Sequence, residues 1–558
     1  MLSRPASKSS RYICKACRSA INASRKRKFG TNSITSNPTS DDIYDVVTVG
    51  GGPVGLALLA ALKTSPSTSH LKCLLVESQS LAKQKSWSLP PDAYSNRASS
   101  ITPTNQSFLE AIEAWRHLDL TRVQPYDEMQ VWDAGNAASI QFDWSAEAIK
   151  YNAPLRTVAT MVENSNLSRG LLRRIEDVGA EESMMSGWNV KGIGNGIDDP
   201  EGCNLSTWPV LELQQIGSEG SQNTKQIATR LLIGADGINS PVRTFAGINT
   251  NGWDYGRHGV VATLQVESSS DPASPFQNSV SNDDFDSALE DFLSDDPKSS
   301  SSSSQPNFEN ITPSNRATAF QRFLPALGGP IAILPLPNNH ASLVWSTTPQ
   351  IASYLKSLSP SAFTATVNAA LRLEQVDIQY LFSLPTTISE PNNTSPHESE
   401  LTWRLQHTKS TPPSRSPPWI TALQPNTIAS FPLRLRNATS YIAPRIALAG
   451  DAAHTIHPLA GQGLNLGLGD AECLSRTIRY AVEHGMDIGD LMALQGYSGE
   501  RYAAAVRVST GVDLLNKVYQ IGSGDGLVGS LLGAARGLGM RAVGMVPGVR
   551  EAIMRTVD

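Results

Sequence analysis

The sequence predicts an α/β protein, a buried parallel sheet with helices on its faces, from three observations. Asp45-Val-Val-Thr-Val49 is a short β-branched run that stops at Gly50-Gly-Gly52-Pro-Val-Gly55, after which Pro53 to Leu62 reads as a helix with small residues next to the strand. Lys72-Cys-Leu-Leu-Val-Glu77 is a second buried run ending on an acid, which completes a βαβ unit. Arg230-Leu-Leu-Ile-Gly-Ala-Asp236-Gly237 and, far downstream, Leu448-Ala-Gly450-Asp451 repeat the pattern of an apolar strand that stops at a glycine–aspartate turn.

A chain of 558 residues exceeds what one core usually organises, so two or three domains are expected. With 40% hydrophobic and 17% charged residues it reads as a globular protein carrying polar insertions. No apolar run is long enough for a transmembrane helix. Five cysteines are few for this length and argue for a reducing compartment without structural disulfides.

The net charge of −5 conceals an asymmetry. Residues 1–40 carry nine basic residues (Arg4, Lys8, Arg11, Lys15, Arg18, Arg25, Lys26, Arg27, Lys28), no acid and many serines, the composition of a mitochondrial presequence rather than of a nucleic-acid arm. Taking those nine from 46 leaves 37 basic against 51 acidic residues, a net −14, and a body that acidic argues against a nucleic-acid partner. Cys14 and Cys17 form a C-x-x-C pair inside the presequence; with no second pair nearby they read as incidental thiols.

Thr104 to Leu118 is expected to be helical, with Phe108, Leu109, Ile112 and Trp115 on one face. Val131, Ile140, Phe142 and Trp144 fall in strands paired around Gly135-Asn136, and Leu155 to Ile175 reads as mostly helical. Ser268 to Asn315, with six serines from Ser299 to Ser304, and Pro391 to Pro418 cannot bury enough apolar surface to order themselves and are expected to be flexible. Between them Ala317–Leu324, Ile331–Leu334 and Ala341–Trp345 are strand-like. The tail from Val512 to Asp558 is helical in tendency and expected to pack on the body in preference to a membrane surface.

Gly50, Gly52 and Gly55 fit G-x-G-x-x-G. The first permits a tight turn, the second lets a pyrophosphate approach the backbone, and the third lets helix and strand pack closely. The pyrophosphate sits at the helix N-terminus, where free N–H groups and the dipole favour an anion. Glu77, ending the next strand, is placed for ribose hydroxyls. This motif alone does not separate NAD from FAD. Downstream, Asp451 to Asp470 is a turn-rich loop running into a glycine-punctuated helix start, able to press backbone N–H groups against a flat ligand.

With Asp236-Gly-Ile-Asn-Ser240-Pro-Val-Arg243 (D-G-x-x-S-x-x-R) and Gly450-Asp451, the chain resembles the class A flavoprotein monooxygenases of the para-hydroxybenzoate hydroxylase type. The resemblance implies a Rossmann-like FAD-binding domain, an inserted β-sheet substrate domain and a C-terminal helical tail. It implies that Gly50, Gly52, Gly55 and Glu77 hold the ADP half of FAD, and that Gly450 and Asp451 contact the pyrophosphate–ribityl region. Gly461, Gly463, Leu464 and Asn465 lie along the isoalloxazine ring, Asp236 shapes the flavin surface, and Arg97, taken to precede a helix, lies near the flavin. Reduced flavin of this family forms a C4a-hydroperoxide with O2, which an electron-rich phenol ring attacks.

Ala319–Pro325, Gly329–Pro335, Leu343–Thr347 and Ser430–Leu433 resemble the ubiquinone-biosynthesis hydroxylase branch. That branch implies C5 hydroxylation of polyprenyl-4-hydroxybenzoate intermediates and electrons from a ferredoxin and its reductase. It also implies a membrane-associated complex with other ubiquinone-biosynthesis proteins, peripheral on the matrix side of the mitochondrial inner membrane. The expected domains are the presequence (1–40); an FAD-binding domain (41–125, 153–250, 430–485); a substrate domain (126–152, 251–429) with insertions at 268–315 and 391–418; and a helical region (486–558).

No residue stands out as an obligate nucleophile. His454, His457 and Pro458 are the catalytic candidates, the histidines as general bases; that the two histidines only structure the loop by hydrogen bonds is the weightier reading. Two histidines without convergent acids or cysteines make no metal site. Phe320, Phe323 and Trp345 line a prenyl channel or are plain core. Rival functions are an NAD(P)H-dependent phenol hydroxylase of a soluble aromatic, a flavin halogenase, against which the lack of a W-x-W-x-I-P element counts, and a flavin-binding structural subunit of a biosynthetic complex.

Overall fold

The computed structural model describes residues 37–134, 138–144, 156–199, 204–217, 223–267, 317–385, 395–408, 416–456 and 461–521, with side chains to residue 511. Its first sheet is organised on β1 (Ile43–Val49), which runs parallel to β2 (Cys73–Glu77) on one side and to β11 (Thr224–Gly234) on the other. β19 (Ile446–Leu448) adds in parallel to β11, β8 (Met184–Ser186) in parallel to β2, and β18 (Ile442–Ala443) antiparallel to β19. β9 (Trp188–Asn195) and β10 (Pro209–Gln215) extend β11 as an antiparallel ribbon.

The register of these pairings decides where the site lies. Val49 faces Val76 on one side and Gly234 on the other, and Gly234 faces Leu448. The four parallel strands therefore end in one row, and the residues that follow, Gly50, Glu77, Ala235 and Ala449, emerge along one edge. Ligands of open parallel sheets bind at that carboxyl edge.

Helix α1 (Pro53–Thr64) returns from that edge, with Pro53 at its first position and every residue from Gly55 to Leu62 buried. Burying each of its leucines contributes about 1.5–3 kcal/mol. α2 (Leu81–Lys85), α4 (Asn164–Asp177) and α10 (Gln462–Glu483) share this core. α5 (Pro241–Phe245) follows β11, and α11 (Leu491–Ile521) closes the described chain.

Among the described residues the second sheet has nine strands: β5 (Glu128–Asp133), β6 (Ser139–Asp143), β12 (Thr250–Val266), β13 (Thr318–Leu324), β14 (Gly329–Leu336), β15 (His340–Thr347), β16 (Ile420–Leu423), β17 (Ala429–Ala438) and β20 (His454–Thr455). One face is covered by α6 (Pro349–Ser357), α7 (Pro360–Arg372), α8 (Gln375–Leu381) and α9 (Pro396–His407). Phe320 and Trp345 are buried there and Phe323 on the opposite face, so all three are core side chains. A small sheet of β3 (Ala98–Ile101), β4 (Gln124–Tyr126) and β7 (Ala159–Glu163) joins the two regions, and α3 (Pro103–Ala111) follows β3.

Several sequence expectations are corrected. Leu155 to Ile175 is helical only from Asn164, where α4 begins; Ala159–Glu163 ahead of it is a strand buried at every position. A short apolar run buried on both faces carries no periodicity to tell the two apart. The helix expected to reach Leu118 ends at Ala111, because Glu113 takes a left-handed φ of 58°, and Trp115–His117 forms a separate 3-10 turn. Pro396–His407, inside the segment expected to be flexible, is a helix with a complete capping box: the Ser395 hydroxyl accepts from the Glu398 N–H, and the Glu398 carboxylate accepts from the Ser395 N–H.

β17 carries the second sheet across the domain boundary expected at 430. Arg97 precedes a strand, not a helix. Asn37, expected in the presequence, is already tied to the body through both polar groups of Ile197. Residues 1–36, Gly135-Asn136, the insertion Ser268–Asn315 and the tail beyond 521 lie outside the described residues. Among the described residues no helix is long and apolar enough to cross a membrane.

Candidate active site

The four strand ends form a continuous rim. Gly50 N–H donates to the Val76 carbonyl (2.8 Å), Ala235 N–H to Val49 (2.8 Å) and Ala449 N–H to Gly234 (2.9 Å). The glycine-rich turn follows from its residues. Gly50 has φ of 114°, and a Cβ there would meet the Ala235 carbonyl; a Cβ on Gly55 would strike the Gly50 carbonyl oxygen. Gly52 differs: its φ is −74°, and nothing lies within 4 Å of where a Cβ would stand. It is the N-cap of α1, and no side chain caps that helix. The Glu77 carboxylate accepts from the Gly51 N–H (2.6 Å) and, through its other oxygen, from Gln79 N–H (2.7 Å), so it fixes the turn.

The Asp236 element is a bracket. Ser240 caps α5 by accepting from the Arg243 N–H (2.9 Å). Arg243 then reaches the Ala452 carbonyl (2.7 Å) and the Ile238 carbonyl (2.6 Å), joining this turn to the one after β19. Asp236 accepts weakly from Val242 N–H (3.3 Å), while its other carboxylate oxygen is buried without a hydrogen-bond partner. Burial raises its pKa from 3.8 to about 6, opposed by Ser240, backbone N–H groups and Arg243. The protonated form is therefore favoured by folding. That contribution is complete below the unfolded pKa near 3.8 and is lost as pH rises through 6. Apoprotein stability is expected to carry a component on the order of 2–3 kcal/mol that disappears between pH 4 and pH 7. Asp236→Asn is expected to flatten it in urea titrations; an unchanged pH slope in that variant would contradict the assignment.

Gly450 takes φ of 58°, with Val54 of α1 packed on it and on Gly467 of α10. Its N–H donates to Asp470 (2.9 Å), a fully buried carboxylate that also receives His454 Nε2 (2.6 Å) and Arg501 Nε (2.8 Å). Burial opposes ionisation of Asp470, but His454 and Arg501 hold its pKa below the ordinary carboxylate value. Asp451 is exposed yet crowded: the surrounding protein pushes its carboxyl above the ordinary range, with His454 opposing. Accessible surface in dense surroundings is what a cleft wall has.

The N-cap of α10 is Gly461, in a left-handed conformation with φ of 63° and no side-chain cap, and Gly463 faces open space. The Asn465 side chain turns away from the rim. It donates to the Ser100 carbonyl (2.7 Å) and accepts from Thr102 N–H (3.0 Å) and Asn105 (3.1 Å), pinning the helix start to the end of β3 and the start of α3. The half-buried Leu464 packs against the first core. Arg97 is exposed beside β3. His454, buried and committed to Asp470, supports the turn instead of offering an open base. His457 and Pro458 lie outside the described residues.

Gly50, Gly52, Gly55, Glu77, Asp236, Gly450 and Asp451 thus share one edge, with Gly461 and Gly463 at the adjoining helix start. Asp470, Arg243 and Arg501 were not among the expected site residues. Asp470 had a signal: with Leu466 and Leu474 it falls on one helical face, and an acid on an apolar face needs a buried partner. No signal pointed to Arg501. Two uncapped helix N-termini, an accessible Gly52 and an unpartnered buried Asp236 oxygen fit an elongated cofactor with an anionic middle and a polar flat end, as FAD is. Among the described residues no cluster of His, Cys, Asp and Glu is arranged to hold a metal.

Residues 387–511 match the family model described as FAD binding domain. Solved structures share the fold: p-nitrophenol 4-monooxygenase PnpA from Pseudomonas putida DLL-E4 (TM-score 0.55, 16% identity, covering 92% of this chain and 98% of that one) and a single-residue variant of Klebsiella pneumoniae HpxO complexed with FAD (TM-score 0.54, 15% identity, 92% and 98%). The fold is thus the α/β para-hydroxybenzoate hydroxylase type that the motifs implied. Among curated proteins, the mitochondrial ubiquinone biosynthesis monooxygenase COQ6 of Schizosaccharomyces pombe is 35% identical over 500 residues, covering 88% of this chain and 87% of the relative. That of Saccharomyces cerevisiae is 33% identical (87% and 88%) and that of Homo sapiens 32% identical (93% and 93%). Similarity at that level along nearly the whole of both chains, with the FAD-binding match laid over the Gly450 turn, means that the chain belongs to the COQ6 family of ubiquinone biosynthesis monooxygenases.

Proposed function

We propose that this chain is an FAD-dependent monooxygenase that places one atom of O2 on C5 of the ring of polyprenyl-4-hydroxybenzoate intermediates in ubiquinone biosynthesis. The observation that carries it is the common row of strand ends, which unites Gly50, Glu77, Asp236 and Gly450 although they are scattered along the chain. Bound FAD supplies the activation of dioxygen.

The chain's residues bind and orient. The uncapped start of α1, with Gly50, Gly52 and Gly55, receives the pyrophosphate; Glu77 turns from fixing Gly51 to meeting the ribose; Gly450 and Asp451 hold the pyrophosphate–ribityl stretch. Backbone N–H groups of Gly461, Gly463, Leu464 and Asn465 face the polar edge of the ring system, Asp236 shapes the rim, and Arg97 approaches from β3. Asn465 contributes its backbone alone, since its side chain is spent on Ser100, Thr102 and Asn105. His457 and Pro458, which precede α10 in the sequence, stay as candidates beside the ring. Electrons come from a ferredoxin and its reductase, and the chain works in a membrane-associated complex, peripheral on the matrix side of the mitochondrial inner membrane.

The test is chemical. A strain lacking this chain is expected to accumulate a prenylated 4-hydroxybenzoate derivative without oxygen at C5, and return of the chain with a ferredoxin system is expected to clear it. Accumulation of a C5-hydroxylated intermediate would overturn the proposal. Rapid NADPH oxidation with small soluble phenols, without ferredoxin, would favour a phenol hydroxylase instead.

A further inference from the structure

We propose that Arg501, on the C-terminal helix α11, and Asp470, on α10, are positioning residues for the flavin: together they set the Gly450-Asp451 turn, so that α11 is part of the grip on FAD. This rests on the FAD reading above.

The geometry is direct. Asp470 is buried completely, and each of its oxygens is used. One accepts from the Gly450 N–H and from His454 Nε2; the other accepts from Arg501 Nε. Gly450 is the residue whose left-handed backbone turns the chain out of β19, and its N–H points inward only because an acceptor waits there. Without the cation, a carboxylate at that depth is favoured to take up a proton, and one that does loses an acceptor lone pair. His454 and Arg501 together keep it ionised, and Arg501 is itself fixed by a second bond from Nη2 to the Leu466 carbonyl (3.1 Å). One turn earlier on α11, the buried Tyr497 hydroxyl donates to the Leu448 carbonyl (2.6 Å), at the last residue of β19. Two consecutive turns of α11 thus hold the strand end and the turn that follows it.

Gly469 is the companion residue. The Arg501 guanidinium lies over its Cα: a Cβ there would stand 2.6 Å from Nη2 and 3.0 Å from the guanidinium carbon. Glycine in a helix interior is unfavourable on propensity alone. Here its missing side chain is the space in which Arg501 reaches Asp470.

This gives a test in which stability and flavin grip separate. Full-length holoprotein is diluted and FAD release followed by flavin fluorescence, with the melting temperature of each variant measured without added FAD. Arg501→Ala is expected to speed release by on the order of tenfold to a hundredfold, the scale on which partners standing behind a ligand-holding group act at metal sites. Arg501→Lys, which keeps the charge but not the second bond, is expected to recover part of that. Gly469→Ala is expected to speed release with a smaller fall in melting temperature than Arg501→Ala, because alanine's preference for the helix offsets part of the cost of displacing the guanidinium from buried Asp470. Release at the wild-type rate in both Arg501→Ala and Gly469→Ala would overturn the proposal. So would release sped equally by Val367→Ala, a core substitution under the second sheet with a matching fall in melting temperature, which would mark plain structural damage. Should Arg501→Ala fail to fold, Gly469→Ala decides alone. A wild-type chain that holds no FAD would instead sink the reading on which the proposal rests.

Discussion

Replacing Gly50 by alanine is expected to cost about 3–5 kcal/mol of stability and to abolish FAD binding, because the strain and the clash are both in the backbone. The residue sits at φ of 114°, and the added methyl would meet the Ala235 carbonyl of the neighbouring strand end, which cannot move without pulling β11 from β1. Gly52→Ala is expected to do the reverse. Its φ is ordinary for any residue and the space around it is empty, so folding should change by no more than about 1 kcal/mol, the scale that separates glycine from alanine at an N-cap. The methyl would stand where the pyrophosphate approaches α1, and flavin should be lost from a protein that still folds. Urea midpoints together with flavin content per chain distinguish the two. Equal stability losses in both variants would mean that the turn is only structural.

Glu163→Ala is expected to cost about 3–5 kcal/mol, the effect of stranding a buried cation. Glu163 is fully buried at the end of β7 and takes two bonds from Arg122, at Nε (2.7 Å) and Nη2 (3.0 Å), as well as the Ser95 N–H (2.6 Å). Arg122 also donates to the Pro90 carbonyl (3.1 Å) and the Ala93 carbonyl (2.6 Å), and its guanidinium lies 4.5 Å from the centre of the Tyr94 ring. The pair straps residues 90–95 down, and the strap continues into the second sheet, where Gln424 bonds both polar backbone groups of Tyr94. Arg97 leaves the far end of this strap. The approach to the flavin edge proposed for Arg97 would therefore depend on Glu163, and flavin retention should fall with stability. Replacing both partners by apolar residues, Arg122→Met with Glu163→Leu, is expected to recover most of the stability, since no charge is then left buried. A single Glu163→Ala variant within 1 kcal/mol of wild type in urea unfolding, about the value of a solvated pair, would show that the pair is exposed to water.

What was legible in the sequence was what local chemistry fixes. The runs ending at Val49, Glu77, Gly234 and Leu448 read as buried parallel strands because both of their faces are covered, and the Gly50 turn read as a ligand turn because its glycines answer separate steric demands. Two local signals were present and outweighed. Ser395-Pro-His-Glu398 is a capping box that announces the helix Pro396–His407, but composition averaged over the whole segment hid it. Ala159–Glu163 is a strand whose five buried positions resemble a buried helix turn. The supports of the site were illegible for another reason. Nothing within one stretch of chain states that Arg501 meets Asp470, that Arg243 reaches Ala452, or that Asn465 turns from the rim to Ser100; these pairings exist only once distant elements have packed.

The most direct measurement of the central claim, that scattered turns fold into one FAD seat, is the flavin content of the purified full-length chain beside its Gly52→Ala variant. The expected result is a yellow wild-type protein carrying close to one FAD per chain, and a folded variant that carries far less. A well-folded wild-type protein that is colourless and takes up no added FAD would contradict it.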